Sequence, residues 1–212
     1  DGLTVRKGLI TVGAMTRLQQ LLSTEVSLPE ALRAACRFEA AWNIRNQATL
    51  GGVLMGADAR SPLLTVLAAL NPELKLAPGE QVLKLSEFFE HRRSAAGSFI
   101  LLELSFELPD CLAYDFVARA PMDQPIVCSA AARAKPAGQD VFQLALGGHG
   151  ERPYGWTMEA GEASHADVLA AASEKASEIY RSAGDAFASA EYRSEIAGIL
   201  SRRVLSEVMS GC

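Results

Sequence analysis

Near residue 99 the pattern of the chain changes, and that change limits the folds open to it. Before it, short segments alternate. Leu9–Ala14 reads as a strand ending in small residues, and Met15–Leu22 as a helix with Leu18, Leu21 and Leu22 on one face. A second helix opens with Pro29 in its first turn and carries Leu32, Ala35 and Cys36 inward. Ser61-Pro62 caps and opens a third, striped by Leu63, Val66, Leu67 and Leu70 and closed by Asn71-Pro72. Glu73–Leu76 and Gln81–Leu85 flank the turn Ala77-Pro78-Gly79-Glu80 and read as a hairpin, followed by a short helix over Leu85–Arg93. After it come longer strands, Phe99–Leu108, Tyr114–Arg119, Ile126–Ala134 and Val141–Leu146, expected to form an antiparallel meander. The last third is helical, over Ala166–Tyr180 and Ser189–Met209, the second striped by Tyr192, Ile196, Ile199, Leu200, Val204 and Val208. The expected architecture is α+β in two modules, 1–85 and 86–212, dividing near residues 85–97.

Composition narrows the function. Hydrophobic residues make up 49% and charged residues 21%, enough apolar matter for a buried core. Twenty basic residues stand against 25 acidic, a net charge of -5, and no run of five basic residues occurs. A general nucleic-acid surface needs a basic stripe, so no nucleic-acid partner is expected. The longest largely apolar stretches, Leu63–Leu70 and Phe99–Leu104, fall far short of the roughly 20 residues that span a bilayer. Cys36, Cys111, Cys128 and Cys212 show neither a CxxC nor a partnering His spacing. They are read as free thiols of a cytoplasmic protein, with no metal site.

Nothing nominates a catalytic residue. His91 lies in a charged helix end, His149 in a Gly-rich loop and His165 near a helix start, all read as exposed or capping. Carboxylates such as Glu174 and Glu178 lie on helical faces as a solvated surface. The glycines carry more. Thr49-Leu50-Gly51-Gly52 offers a hydroxyl, backbone N–H groups and no side-chain bulk, the parts that wrap a pyrophosphate; the same residues also make a plain tight turn. Gly147-Gly148-His149-Gly150 is not followed by a helical pattern and reads as a loop between strands.

The string Ile44-Arg45-Asn46-Gln47-Ala48-Thr49-Leu50-Gly51-Gly52 closely resembles the IRNxATIGGN signature of the flavin-binding medium subunit of molybdenum hydroxylases, the family of the carbon monoxide dehydrogenase flavoprotein and the xanthine dehydrogenase FAD domain. Other pieces fall in the family's order. Val12-Gly13-Ala14-Met15-Thr16 resembles its IGAxT segment, Glu87-Phe88-Phe89 its EFF element, and Leu144-Ala145-Leu146-Gly147-Gly148 its ALGG. Gly184-Asp185-Ala186 and Ala190-Glu191-Tyr192-Arg193, with Leu200–Leu205, resemble its closing helices.

The resemblance implies the second subdomain of a PCMH-type FAD-binding domain, followed by a C-terminal antiparallel sheet with helices. It implies an FAD-carrying electron-transfer subunit of an oxidoreductase that performs no substrate chemistry itself. The implied partners are a molybdopterin-containing large subunit and an iron–sulfur small subunit. By position, Thr49, Leu50, Gly51 and Gly52 line the FAD diphosphate, with Thr16 and Asp58 as further binding residues. The family's AGGT loop has no counterpart in these residues, which open on Asp1-Gly2-Leu3-Thr4, so an N-terminal subdomain is expected upstream. Three positions depart from the family: Val53 replaces the Asn after the double glycine, Pro62 an acidic residue and Phe116 a Lys. They motivate the alternative of a flavin-less relative retained as an assembly or docking subunit.

Overall fold

A computed structural model describes residues 2–94, 99–120, 122–135 and 138–212. Residues 95–97 of the expected module boundary lie outside the described residues. The chain begins with a hairpin of β1 (Leu3–Arg6) and β2 (Leu9–Gly13), in which Lys7 and Gly8 take the positive φ angles of a two-residue turn. Helices α1 (Leu18–Ser23), α2 (Glu30–Glu39), α3 (Trp42–Arg45), α4 (Leu50–Gly56) and α5 (Pro62–Leu70) follow. Then come β3 (Glu73–Ala77), β4 (Gln81–Lys84), α6 (Leu85–Ser94) and β5 (Ile100–Glu107). The hairpin around Ala77–Glu80 forms as expected, and Ser61 caps α5 with its side chain accepting from the Leu64 N–H.

The meander expected to start at Phe99 starts one strand later. β5 pairs antiparallel with β2 on one side and β3 on the other, completing a five-stranded sheet of order β1-β2-β5-β3-β4. Its apolar residues Leu101, Leu104 and Phe106 join Ile10, Val12, Leu74 and Leu76 in one core, and that shared face selects the sheet. The second sheet is a true meander of β6 (Cys111–Val117), β7 (Val127–Ala134), β8 (Val141–Gly147) and β9 (Tyr154–Glu159), the last a strand the sequence reading did not contain.

Helix α5 lies between the sheets. Leu63 and Leu67 share one core and line one small cavity with Val12, Leu104 and Phe106 of the first, while the Thr65 hydroxyl stands 3.3 Å from the Cys128 sulfur in the second. A helix apolar all round is a buried helix, and α5 is one. On the far face of the second sheet pack α7 (His165–Ile179) and α8 (Ala190–Ser210). Of the expected α8 stripe, Leu200, Val204 and Val208 are buried, whereas Tyr192 and Ile199 are 40% and 45% exposed and Arg193, Ala197, Gly198 and Ser201 are buried in addition. Small residues face α7 because the helices approach closely. A Cβ on Gly198 would stand 2.5 Å from the Ser177 hydroxyl. Ser177 and Ser194 exchange hydrogen bonds, each hydroxyl donating to the other's carbonyl at 2.9 and 2.7 Å.

The cysteines correct a second expectation. Cys111 and Cys212 form a disulfide, their Cα atoms 5.8 Å apart, because α8 ends beside the start of β6; Cys36 and Cys128 are free and buried. A separation of 101 residues hid the pair from any spacing argument. No helix among the described residues is long and apolar enough to cross a membrane.

Candidate functional site: the Thr49 turn

The turn at Thr49 is built by tertiary contacts against local propensity. Each glycine costs about 1 kcal/mol relative to alanine inside a helix, yet Gly51 and Gly52 form the first turn of α4. The Leu50 N–H donates to the Thr16 carbonyl at 2.9 Å, the Gly51 N–H to the Ala14 carbonyl at 2.8 Å and the Leu18 N–H to the Ala48 carbonyl at 3.0 Å. Thr49 caps the helix, its Oγ1 accepting from the Gly52 N–H at 3.1 Å.

The two glycines have different reasons. A Cβ on Gly51 would stand 3.0 Å from both the Cβ and the carbonyl oxygen of Ala14, so its bareness lets α4 sit on the end of β2. Gly52 is exposed, and only the Thr49 hydroxyl oxygen lies within 4 Å of its missing Cβ. Its bare face is open to an approaching group.

Thr16, Thr49, Leu50, Gly51 and Gly52 therefore gather at one place. Leu50 contributes backbone alone, its side chain being in the core. The Thr16 hydroxyl is occupied: it accepts from the Gly2 N–H at 2.9 Å and donates to the Gly2 carbonyl at 3.1 Å. Asp58 is not brought to this end. It lies beyond the C-terminus of α4, a helix of seven residues or about 10 Å, where its Oδ1 accepts from the Arg60 N–H at 2.8 Å.

At the start of α5, where the family resemblance expects an acidic residue and Pro62 stands, Glu39 arrives from α2. Its carboxylate accepts from the Ser61 hydroxyl at 2.7 Å and the Leu63 N–H at 3.0 Å. Burial pushes the Glu39 carboxyl above its ordinary range, against the pull of those two donors. Phe116 occupies the expected Lys position within a ring cluster, 4.8 Å from Phe38 and 5.8 Å from Tyr114 between centroids.

A diphosphate fits the Thr49 turn at two points, the Thr49 O–H and the open face of Gly52. It does not fit at the first-turn N–H groups, because those of Leu50, Gly51, Gly52 and Val53 are all hydrogen-bonded within the chain. Sequence reasoning passed over Arg17, which pairs with Thr49 in an isolated antiparallel bridge. Among the described residues, no group of three or more His, Cys, Asp or Glu side chains is placed to hold a metal ion.

The model of the family described as the FAD binding domain in molybdopterin dehydrogenase matches residues 1–109. This chain belongs to that family. The match ends in the connection between β5 and β6 and so takes in the first sheet whole. The chain is 26% identical to the glyceraldehyde dehydrogenase medium chain of Sulfolobus acidocaldarius over 213 residues, covering 94% of this chain and 75% of that one. It is 42% identical to the uncharacterized protein YgfM of Escherichia coli K12 over 73 residues, 34% of this chain and 28% of YgfM, so the match spans less than a third of that relative. Among solved structures, a chain of quinoline 2-oxidoreductase from Pseudomonas putida 86 shares the fold with a TM-score of 0.79 at 23% identity, over 99% of this chain and 78% of that one. A chain of the reconstituted CO dehydrogenase of Oligotropha carboxidovorans gives 0.81 at 20% identity, over 100% and 79%. The α+β arrangement of an antiparallel sheet with helices is thus the fold of the carbon monoxide dehydrogenase chains.

Proposed function

We propose that this chain is an FAD-binding electron-transfer unit of a molybdenum-hydroxylase-type oxidoreductase. In this reading it works beside a molybdopterin-containing large subunit and an iron–sulfur small subunit, in the cytoplasm, and electrons pass from the iron–sulfur clusters through the flavin to an acceptor. The observation that carries the reading is the family match over residues 1–109, which includes both the Thr49 turn and the strand end it is bonded to. The relative named a medium chain supports the multi-subunit setting. FAD, when bound, supplies the redox chemistry. The residues of this chain bind and orient it: the Thr49 hydroxyl donates a hydrogen bond, bare Gly52 admits the ligand to van der Waals contact, and the Ala14 and Thr16 carbonyls keep the turn rigid. The division between the two modules, expected near residues 85–97, is proposed here to lie instead in the β5–β6 connection, because β5 completes the first sheet.

The test is the visible absorption spectrum of the purified chain after incubation with excess FAD and removal of unbound cofactor. A retained, stoichiometric flavin band is expected. A folded chain that stays colourless yet copurifies with a molybdenum or iron–sulfur subunit would replace this reading with that of a docking subunit. The observation favouring that second reading is the apolar ring cluster of Phe116 with Phe38 and Tyr114 at the expected Lys position.

A further inference from the structure

The second sheet, of order β6-β7-β8-β9, ends on β9. Just past that strand the Ala160 N–H donates to the Asp140 carbonyl at 3.4 Å, carrying the antiparallel register of Glu159 with Val141 one pair further. Hydrogen-bonded and non-hydrogen-bonded pairs alternate along such a ladder. Met158, Trp156 and Tyr154 therefore exchange bonds with β8, and the N–H and C=O groups of Gly155, Thr157 and Glu159 point away from the sheet. These three residues are exposed, and among the described residues their outward backbone groups have no hydrogen-bond partner.

Open strand edges are usually blunted by short length, charge or proline. The outer strand β1 of the first sheet runs into Arg6 and Lys7, and the other outer strand, β4, is four residues long and ends on Lys84. Strand β9 has six residues, Tyr154–Glu159, with no basic residue among them. A cavity of about 410 Å³ lies along its first half, between that edge and Ser86 and Phe89 of α6, so an added chain has room there.

Only an extended backbone satisfies a strand edge, and the charges around β9 select a second copy of β9. Arg152 lines the cavity just before the strand, held by the Glu90 carboxylate and the Ser86 carbonyl. Glu159 ends the strand and Glu162 stands exposed in the turn that follows. A two-fold axis runs the second strand antiparallel and brings Arg152 of each copy toward Glu159 and Glu162 of the other. With the axis at Thr157, that residue meets its own copy and Gly155 meets Glu159, each pair exchanging both N–H···O bonds, while Trp156 lies across from Met158. This register leaves Pro153, which has no N–H to give, outside the new ladder.

We propose that β9 is a self-association edge, through which two copies of this chain join their second sheets into one continuous antiparallel sheet.

Analytical ultracentrifugation of the 212-residue chain across a concentration series tests it, with backbone amide exchange measured on the same samples. The wild type is expected to reach a dimer, and exchange at the Gly155, Thr157 and Glu159 amides should slow as the dimer fills. Thr157→Lys sets like charges directly opposite each other at the axis and should weaken dimerisation by about 10-fold or more. Arg152→Glu and Glu162→Arg should each weaken it by about 3- to 10-fold, and the double variant should recover most of that loss. All four substituted chains should keep the wild-type melting temperature under dilute conditions, where every form is a monomer, because the positions are solvent-exposed. A wild-type chain that stays monomeric into the millimolar range overturns the proposal and leaves the edge to a strand of some other protein. A dimer whose three edge amides exchange as fast as in the monomer overturns it too, as does one that Thr157→Lys leaves intact.

Discussion

At the scale of single residues, neighbouring glycines carry opposite burdens. Gly51→Ala is expected to destabilise the chain by about 1–3 kcal/mol, the range for forcing a methyl into a packed contact, because its Cβ meets the Ala14 backbone. Gly52→Ala should change stability by less than about 0.5 kcal/mol, since the usual gain from alanine in a helix is offset by a 3.2 Å contact with a rotatable hydroxyl. It should nonetheless weaken FAD binding, because the methyl fills the open face. Urea denaturation and flavin titration on the two variants separate the effects. A second residue-scale prediction concerns Asp185. Partial burial opposes its ionisation, but hydrogen bonds from Arg193 and from the Phe187 and Ala188 N–H groups outweigh it and hold its carboxyl well below the usual range. Arg193 is 0% exposed and donates as well to the carbonyls of Ile126 and Ala183. Since the folded pKa is depressed, this contribution is complete above the unfolded carboxylate value near 4 and is lost as the pH falls below it. Asp185→Asn should cost about 3 kcal/mol at neutral pH, because it leaves a buried guanidinium without its counter-charge, and should flatten the acid limb of the stability curve. The Thr49–Gly52 string was legible in the sequence because its glycines and its order are distinctive. Arg17 was not, because a single exposed arginine leaves no periodic signal and its pairing with Thr49 exists only once both segments are folded.

At the scale of elements, legibility followed how much of an element's cause is local. The β3–β4 hairpin carries its own turn residues, and α5 carries Ser61, Pro62 and Asn71 at its ends; both stand where the sequence puts them. Helix α4 was hidden, since three glycines in seven residues argue against a helix and the bonds to Ala14 and Thr16 that stabilise it are non-local. Strand β5 was read correctly as a strand but joined to the wrong sheet, because alternation shows which face is buried and not which neighbour covers it. Strand β9 was missed because Gly155 interrupts an edge strand with little buried surface. The Gly147 element explains the ALGG string in structural terms. A Cβ there would stand 2.2 Å from the Thr65 hydroxyl and 2.7 Å from the Ala59 carbonyl, so this glycine lets β8 lie against the start of α5. Gly147→Ala should therefore lower stability by about 1–3 kcal/mol or more. Flavin affinity per folded molecule should be unaffected, as measured by titration below the melting transition.

At the scale of the whole molecule, the four cysteines divide into two populations that thiol counting resolves. Cys36 and Cys128 are pushed up to about 12, both chiefly by burial, so neither forms a thiolate at pH 8. The native oxidised chain should show no reactive thiol, the unfolded oxidised chain two, and the unfolded reduced chain four. Reduction should also lower stability by about 2–4 kcal/mol, the usual worth of a disulfide closing a long loop, visible as a shifted denaturation midpoint. Because α5 belongs to the cores of both sheets, unfolding should be a single transition by fluorescence and circular dichroism alike. The order in which the chain is made adds a last consequence. Within the first sheet, β2 and β3 do not pair with each other; the two hairpins are joined only through β5, whose partners were synthesised up to 98 residues earlier, as in the Leu9–Glu107 pair. A nascent chain that has delivered every helix up to α6 still holds two separate hairpins with exposed apolar faces. At about 5–20 residues per second the stretch from Ser94 to Glu107 takes about 1–3 seconds, during which ribosome-associated chaperones have a specific surface to guard.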